Sequence, residues 1–204
     1  MISVEEARRY YQGAHSSHDF DHVLRVLVLA ERIARAEGGD LEVVRAAALL
    51  HDVGRAEEEQ TGEDHAQIGA RRAREILAGH PPEKVEAVAA AIAAHRFRHG
   101  PPPATPEARA LFDADKLDAM GAIGVARAFA YAGAHGQRLW VSPDVALAQG
   151  DGTPDHTPVH EYLLKLSRLR ESMTTPTGRA LAEKRHAFMA QFFARLEAEV
   201  NGEC

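Results

Sequence analysis

The sequence predicts an all-α protein, a single set of helices around a buried polar centre, and three observations carry that expectation. Ala, Leu, Glu and Arg dominate the chain, apolar residues recur at helical spacing, and β-branched residues rarely cluster. The 204 residues, 45% of them hydrophobic, suit one domain with a substantial core and exclude disorder. Residues 16–130 read as the core of that domain, with helices over 159–200 packing on it.

The elements follow in order. Ser3 with Glu6 makes a capping-box pattern ahead of a first short helix. A second runs from about Asp19 to Ala36 and stops at Gly38-Gly39. Asp40 caps a third, LEVVRAAALLHDV, which ends near Gly54. AEEEQTGE reads as an acidic loop, after which Asp64 caps a fourth helix that Gly79 terminates. Pro81-Pro82 starts a fifth, reaching about His95. HGPPPATPE is a loop, and Thr105-Pro106 opens a sixth helix carrying FDADKLDAMGAIGVARAF. Residues 134–158 are rich in Gly, Pro and Asp without a clear period, which marks a functional or a mobile loop. Two more helices cover roughly Val159–Glu171 and the stretch after Thr175-Pro176.

Bulk properties narrow the function. The single cysteine, Cys204, leaves no disulfide or thiolate metal site within the chain. A net charge of -6 argues against a surface built for nucleic-acid backbone, yet a local cationic pocket could still take a small phosphorylated molecule. No apolar run approaches the ~20 residues of a membrane span, and acidic residues stand where a signal peptide has its basic region. No membrane association and a cytoplasmic location are therefore expected; homodimerisation is left open.

Of twelve histidines, His15, His18, His80, His99, His135, His156, His160 and His186 read as exposed helix residues. Of the other four, three fall on apolar faces, His95 on that of Val85, Val88 and Ile92. His22 shares a face with Val26, Leu29 and Ile33, and His51 stands in the same relation to Val44 and Ala47. Asp52 follows at the edge of the buried run AAALL, and Asp115 lies one turn beyond Leu111. Two buried carboxylates with no cation on the same inward faces are costly unless something neutralises them. A divalent cation would do so and accept the imidazole lone pairs. Such mixed N and O ligation suits Mn²⁺, Fe²⁺, Zn²⁺, Mg²⁺ or Co²⁺. The alternative is four separately hydrogen-bonded core residues.

The order His…His-Asp…Asp, with HDVG closing a helix after AALLHD, resembles the HD superfamily of metal-dependent phosphohydrolases. SHDFDHVLRV, AALLHDVGR, HAQIGARRAREIL, AAHRFRHG and LFDADKLDAMGAIGVARAF, spanning roughly Ser16–Phe129, are similar to one small bacterial branch that includes a nucleoside triphosphate pyrophosphohydrolase. The resemblance implies metal ligation by His22, His51, Asp52 and Asp115, with Asp52 also catalytic, and attack of a metal-activated water on phosphorus. A nucleotide or similar phosphorylated substrate is expected through the family, with 5'-nucleotidase and phosphodiesterase activity as alternatives. Some HD nucleotidases carry a Glu three positions after the HD aspartate as the base; here that position is Arg55, a cation suited to a phosphate oxygen. The base must then be Asp52 itself or an acidic residue of the next segment, such as Glu58 or Glu59.

His65-Ala-Gln-Ile-Gly69 followed by Ile76-Leu77, and AIAAHRFRHG with His95, resemble the segments with which HD-type cyclic dinucleotide phosphodiesterases bind a second metal. In this chain His65 and His95 are candidates for a second metal, for phosphate contact, or for a structural role. Arg55, Arg96, Arg98 and Lys116 are candidate phosphate clamps; Lys116 could instead pair with Asp113 or Asp118. The full set of four histidines and two aspartates also matches the minority of HD proteins that hold two irons and use O₂. A ligand-poor regulatory module is disfavoured because the ligand set is intact. Gly121 and Gly124 cost a helix about 1 kcal/mol each, which points to close packing. Phe129, Tyr131 and Trp140 could stack a base, although anchoring of core or loop is the better expectation.

Overall fold

The computed structural model describes residues 1–11, 20–96 and 101–203. Asp19, His15, His18, Arg98, His99 and Cys204, named above, lie outside them. All regular structure among the described residues is helical, as the composition predicts. The chain divides into two compact units, one of residues 1–115 and 174–178, the other of 116–173 and 179–204.

The first unit begins with α1 (Val4–Arg8), where Ser3 and Glu6 form the expected capping box. α2 (Phe20–Glu37) buries Val23, Val26, Ala30 and Ile33, a repeat of three and four that turns one face inward. α3 (Leu41–Leu50) is capped by Asp40, whose carboxylate accepts from the amides of Glu42 and Val43. It is buried almost throughout, and the run Ala46-Ala47-Ala48 lets neighbouring helices approach closely.

α3 stops at Leu50, four residues earlier than expected; His51 is its C-cap and Asp52 lies in the turn that follows. The segment expected to be an acidic loop is instead α4 (Arg55–Thr61), closed by Gly62 at φ +76°. Its Glu57 and Glu58 lie in the first turn, where acidic residues suit the helix dipole, and it buries no residue, so no apolar period announced it. α5 (His65–Ile76) starts at the Asp64 cap and α6 (Pro82–Ala93) at its two prolines. α3 packs on α2, α5 and α6.

The single long helix expected over the FDADKLDAMGAIGVARAF segment is broken. α7 (Pro106–Asp118) ends, and α8 (Gly121–Ala134) begins after Ala119-Met120. Gly121 takes φ +69°, open to glycine without strain, and a Cβ there would sit 3.1 Å from Arg185 Cγ. A Cβ on Gly124 would collide with the Ala119 carbonyl oxygen, so both glycines serve close packing at the break.

In the second unit, the Gly- and Pro-rich stretch contains a short helix, α9 (Pro143–Gln149), entered through Pro143. α10 (Pro158–Leu164) runs into a 3-10 segment, Leu166–Ser172, and α11 (Pro176–Val200) follows. Phe129 of α8 packs against Phe192 and Phe193 of α11, while Tyr131 stacks on His135, so the expected aromatic trio splits up. His160, expected on the surface, is buried: its Nδ1 accepts from the Thr157 amide at 3.1 Å, and its Nε2 meets Gln149 Oε1 at 3.0 Å.

Candidate metal centre

Six side chains from six places in the first unit come together, with Asp52 in the middle. α2 delivers His22, the C-cap of α3 delivers His51, the next turn Asp52, the first turn of α5 His65, the residue after the α6 cap His95, and α7 Asp115. All but Asp115 are buried, at 2% exposure or less. His51 and His95 thus lie at helix ends rather than within helices. Their Nδ1 atoms satisfy carbonyls of the last turn, Ala48 O at 2.8 Å and Ile92 O at 2.6 Å.

The two oxygens of Asp52 face different imidazole pairs. Oδ2 lies 3.7 Å from His22 Nε2 and 3.6 Å from His51 Nε2, and these two nitrogens are 3.3 Å apart. Asp115 Oδ1 completes that group, 3.4 Å from His22 Nε2 and 4.0 Å from His51 Nε2. Oδ1 lies 3.5 Å from His65 Nε2 and 3.8 Å from His95 Nε2, which are 3.2 Å apart.

These separations fit a cation better than direct bonds. Ligand atoms each about 2.0–2.2 Å from one ion stand roughly 3–4 Å from one another. Most of the imidazole–carboxylate distances exceed those of hydrogen bonds. The proton positions agree. A carbonyl oxygen or a carboxylate can only accept, so Nδ1 of His51, His95 and His65 carries the proton, the last bonded to Glu58 Oε2 at 2.8 Å. Their Nε2 atoms then face the centre, where those of His65 and His95 stand 3.2 Å apart, a spacing that ligands of one cation also show. Burial pushes His51 below the usual imidazole range despite the pull of Asp52, which keeps it a neutral ligand. Burial opposes ionisation of Asp52, but the neighbouring imidazoles and Arg55 hold its carboxyl well below the usual range. The donor set therefore suits a divalent metal on one side of Asp52, and a second on the other.

The expected phosphate clamps are not equivalent. Arg55 borders Asp52, its Nε 3.0 Å from Asp52 Oδ1 and its Nη1 3.6 Å from Glu58 Oε2, with 30% of the side chain exposed. Arg96 bonds Glu58 at 2.9 Å and Asp64 at 2.7 Å, one layer further out. Lys116 follows Asp115 on α7 and is buried. Asp113 is engaged elsewhere, accepting from the amides and hydroxyls of Thr174 and Thr175. Asp118 pairs with Arg127 at 3.5 Å. Glu59 is exposed on α4.

Several supporting residues escaped the sequence reading. A Cβ on Gly54 would stand 2.5 Å from the His65 carbonyl oxygen, and one on Gly69 would stand 3.1 Å from that of His51. The two glycines let α5 approach the turn after α3, bringing His65 to Asp52. The Tyr11 hydroxyl donates to Leu49 O at 3.0 Å and Arg72 to Val53 O at 2.8 Å, so both brace the His51-Asp52 turn. The glycines of HDVG and HAQIG were a legible signal; the brace was not.

The HD domain family model matches residues 19–120, which contain all six converging residues. The YpgQ protein of Bacillus subtilis is 36% identical over 99% of this chain and 96% of its own length. Its crystal structure in complex with ADP superposes with a TM-score of 0.75, at 31% identity over 99% of this chain and all of that one. An HD-superfamily hydrolase of Bacillus thuringiensis gives a TM-score of 0.75 at 31% identity, over 97% of this chain and 94% of its own. Ribonuclease Y of Chloroflexus aurantiacus is 31% identical over 67% of this chain, which spans only 30% of that enzyme. Hydrolases among these relatives favour hydrolysis over the oxygen chemistry that the ligand pattern alone also allows. With the family model, the helical fold and the buried donor set in agreement, the chain belongs to the HD-domain family and is a metal-dependent phosphohydrolase.

Proposed function

We propose that the protein hydrolyses a nucleotide, with nucleoside triphosphates cleaved to monophosphate and pyrophosphate as the first candidate reaction. The observation that carries the nucleotide is the end-to-end similarity to YpgQ, whose structure holds ADP. In this reading His22, His51, Asp115 and Asp52 Oδ2 hold one divalent cation, and Asp52 Oδ1, His65 and His95 hold a second. Cations held there would supply a nucleophile from water near neutral pH and neutralise phosphoryl charge.

The chain's own residues do the rest. The proton positions favour a second cation over direct phosphate contact for His65 and His95, because neutral imidazoles protonated at Nδ1 present acceptors that would repel a phosphate oxygen. Arg55 has five N–H donors, more than its two carboxylate neighbours use, and its exposed edge can take a phosphate oxygen while its Nε orients Asp52. Arg96 acts from one layer out by holding Glu58 and Asp64 in place.

Similarity to ribonuclease Y supports phosphodiester hydrolysis as a second reading. One assay separates the two: a panel of nucleotides and a short oligonucleotide, each with Mn²⁺, Mg²⁺, Co²⁺ or Fe²⁺, resolving phosphate from pyrophosphate release. Pyrophosphate from triphosphates supports the first reading. Cleavage of the oligonucleotide alone would replace it, and phosphate release alone would move the scissile bond.

A further inference from the structure

The proton of His65 is contested by two carboxylates. Asp52 Oδ1 lies 3.5 Å from Nε2, and Glu58 Oε2 lies 2.8 Å from Nδ1 on the opposite side of the ring. A neutral imidazole carries one proton, so only one of the two can hold it. If the proton sat on Nε2, His65 would point a donor at Asp52 and His95 and could ligate nothing there. The shorter contact belongs to Glu58, and the rest of that carboxylate is fixed as well. Its Oε1 accepts from Arg96 Nη1 at 2.9 Å and faces the His65 amide at 3.4 Å.

We propose that Glu58 is a positioning residue that pins the His65 proton on Nδ1 and so turns Nε2 into a lone pair aimed at Asp52 and His95. This excludes Glu58 as a general base. Its Oε2 is committed on the far side of the imidazole, and its other oxygen to Arg96. His51 and His95 get the same result from backbone carbonyls of Ala48 and Ile92; His65, at a helix N-terminus, has no preceding turn of carbonyls to use. Glu58 supplies the missing acceptor from the preceding helix, α4. The effect on metal binding rests on the second-cation reading above, whereas the proton position does not.

The test is ¹⁵N NMR of histidine rings in metal-free, full-length protein, above the imidazole titration range, with His65 assigned through a His65→Gln spectrum. In the wild type, His65 should show a protonated Nδ1 and a pyridine-like Nε2. Glu58→Gln keeps the shape but can donate as well as accept, so His65 should shift toward the Nε2–H form or a mixture. Glu58→Asp, too short to reach, should shift it the same way, while His51 stays unchanged as the internal control and His95, 3.2 Å away across the centre, responds to the new Nε2 donor. A wild-type His65 protonated at Nε2, or a Glu58→Gln spectrum identical to wild type, would overturn the proposal. In Mn²⁺ titrations of Glu58→Gln, one site should weaken by about 10–100-fold while the other holds its affinity. A shifted proton with both affinities unchanged would keep the positioning role and instead remove the second cation.

Discussion

Replacing Gly54 by Ala tests how closely the centre depends on the approach of α5. The added methyl would lie 2.5 Å from the His65 carbonyl oxygen, 2.9 Å from Ile68 Cβ and 3.0 Å from the Gly69 nitrogen. Two of these are backbone atoms, so no side-chain rotation relieves the clash. Reaching an ordinary contact requires α5 to retreat by about 1 Å. Metal–ligand bonds tolerate only about 0.2 Å, so a shift of that size takes His65 out of range of an ion on Asp52 Oδ1. Overpacking of this kind costs about 1–3 kcal/mol, and in a chain of this length each kcal/mol lowers Tm by about 2–4 °C. Thermal unfolding and Mn²⁺ stoichiometry together measure the effect. The variant should melt lower and lose the His65–His95 site before the other. Wild-type Tm with an unaltered ion count would refute the packing argument.

Four further outcomes are expected. Asp52→Ala should bind neither cation and have no activity, whereas Asp115→Ala should lose only the ion shared with His22 and His51; metal analysis of both purified variants checks this. Arg55→Lys should retain part of the activity with a raised KM, and Arg55→Glu, which sets a second carboxylate beside Asp52, should be nearly inactive in steady-state assays. Asp113→Ala should cost on the order of 3 kcal/mol in denaturant unfolding, because four donors of Thr174 and Thr175 lose a buried carboxylate. His160 has its pKa lowered first by burial and then by His156; protonating Nδ1 would break its bond from the Thr157 amide. A depressed folded-state pKa gives stability that is present above the unfolded value of about 6.5 and lost as pH falls below it. The pH dependence of unfolding below that value should therefore flatten in His160→Leu.

What could be read from the sequence was local. Ser3, Asp40 and Asp64 are caps whose partners lie two or three residues away, and the inward face of α2 repeats His22 with Val26, Leu29 and Ile33. The four histidines that do not read as surface residues all reach the centre; His22, His51 and His95 stand on apolar faces that must be buried, whereas His65 was legible only through the family resemblance. The features that were missed depend on partners far along the chain. α4 has no buried face, and its Glu58 matters through His65 and Arg96, so neither composition nor period distinguishes it from a solvated loop. The break between α7 and α8 turns on Gly121 and its packing against Arg185, more than sixty residues away, where the local pattern favours a continuous helix. His160 looked like a surface residue because Gln149, its partner, sits in a segment without a legible period.

Anomalous diffraction at the manganese edge, from crystals grown with Mn²⁺, tests most directly whether Asp52 stands between two cations. Two peaks are expected, one among His22, His51, Asp115 and Asp52 Oδ2, the other among His65, His95 and Asp52 Oδ1. A single peak on the His22 side would reduce the centre to one cation, and no peak beside Asp52 would contradict the metal assignment altogether.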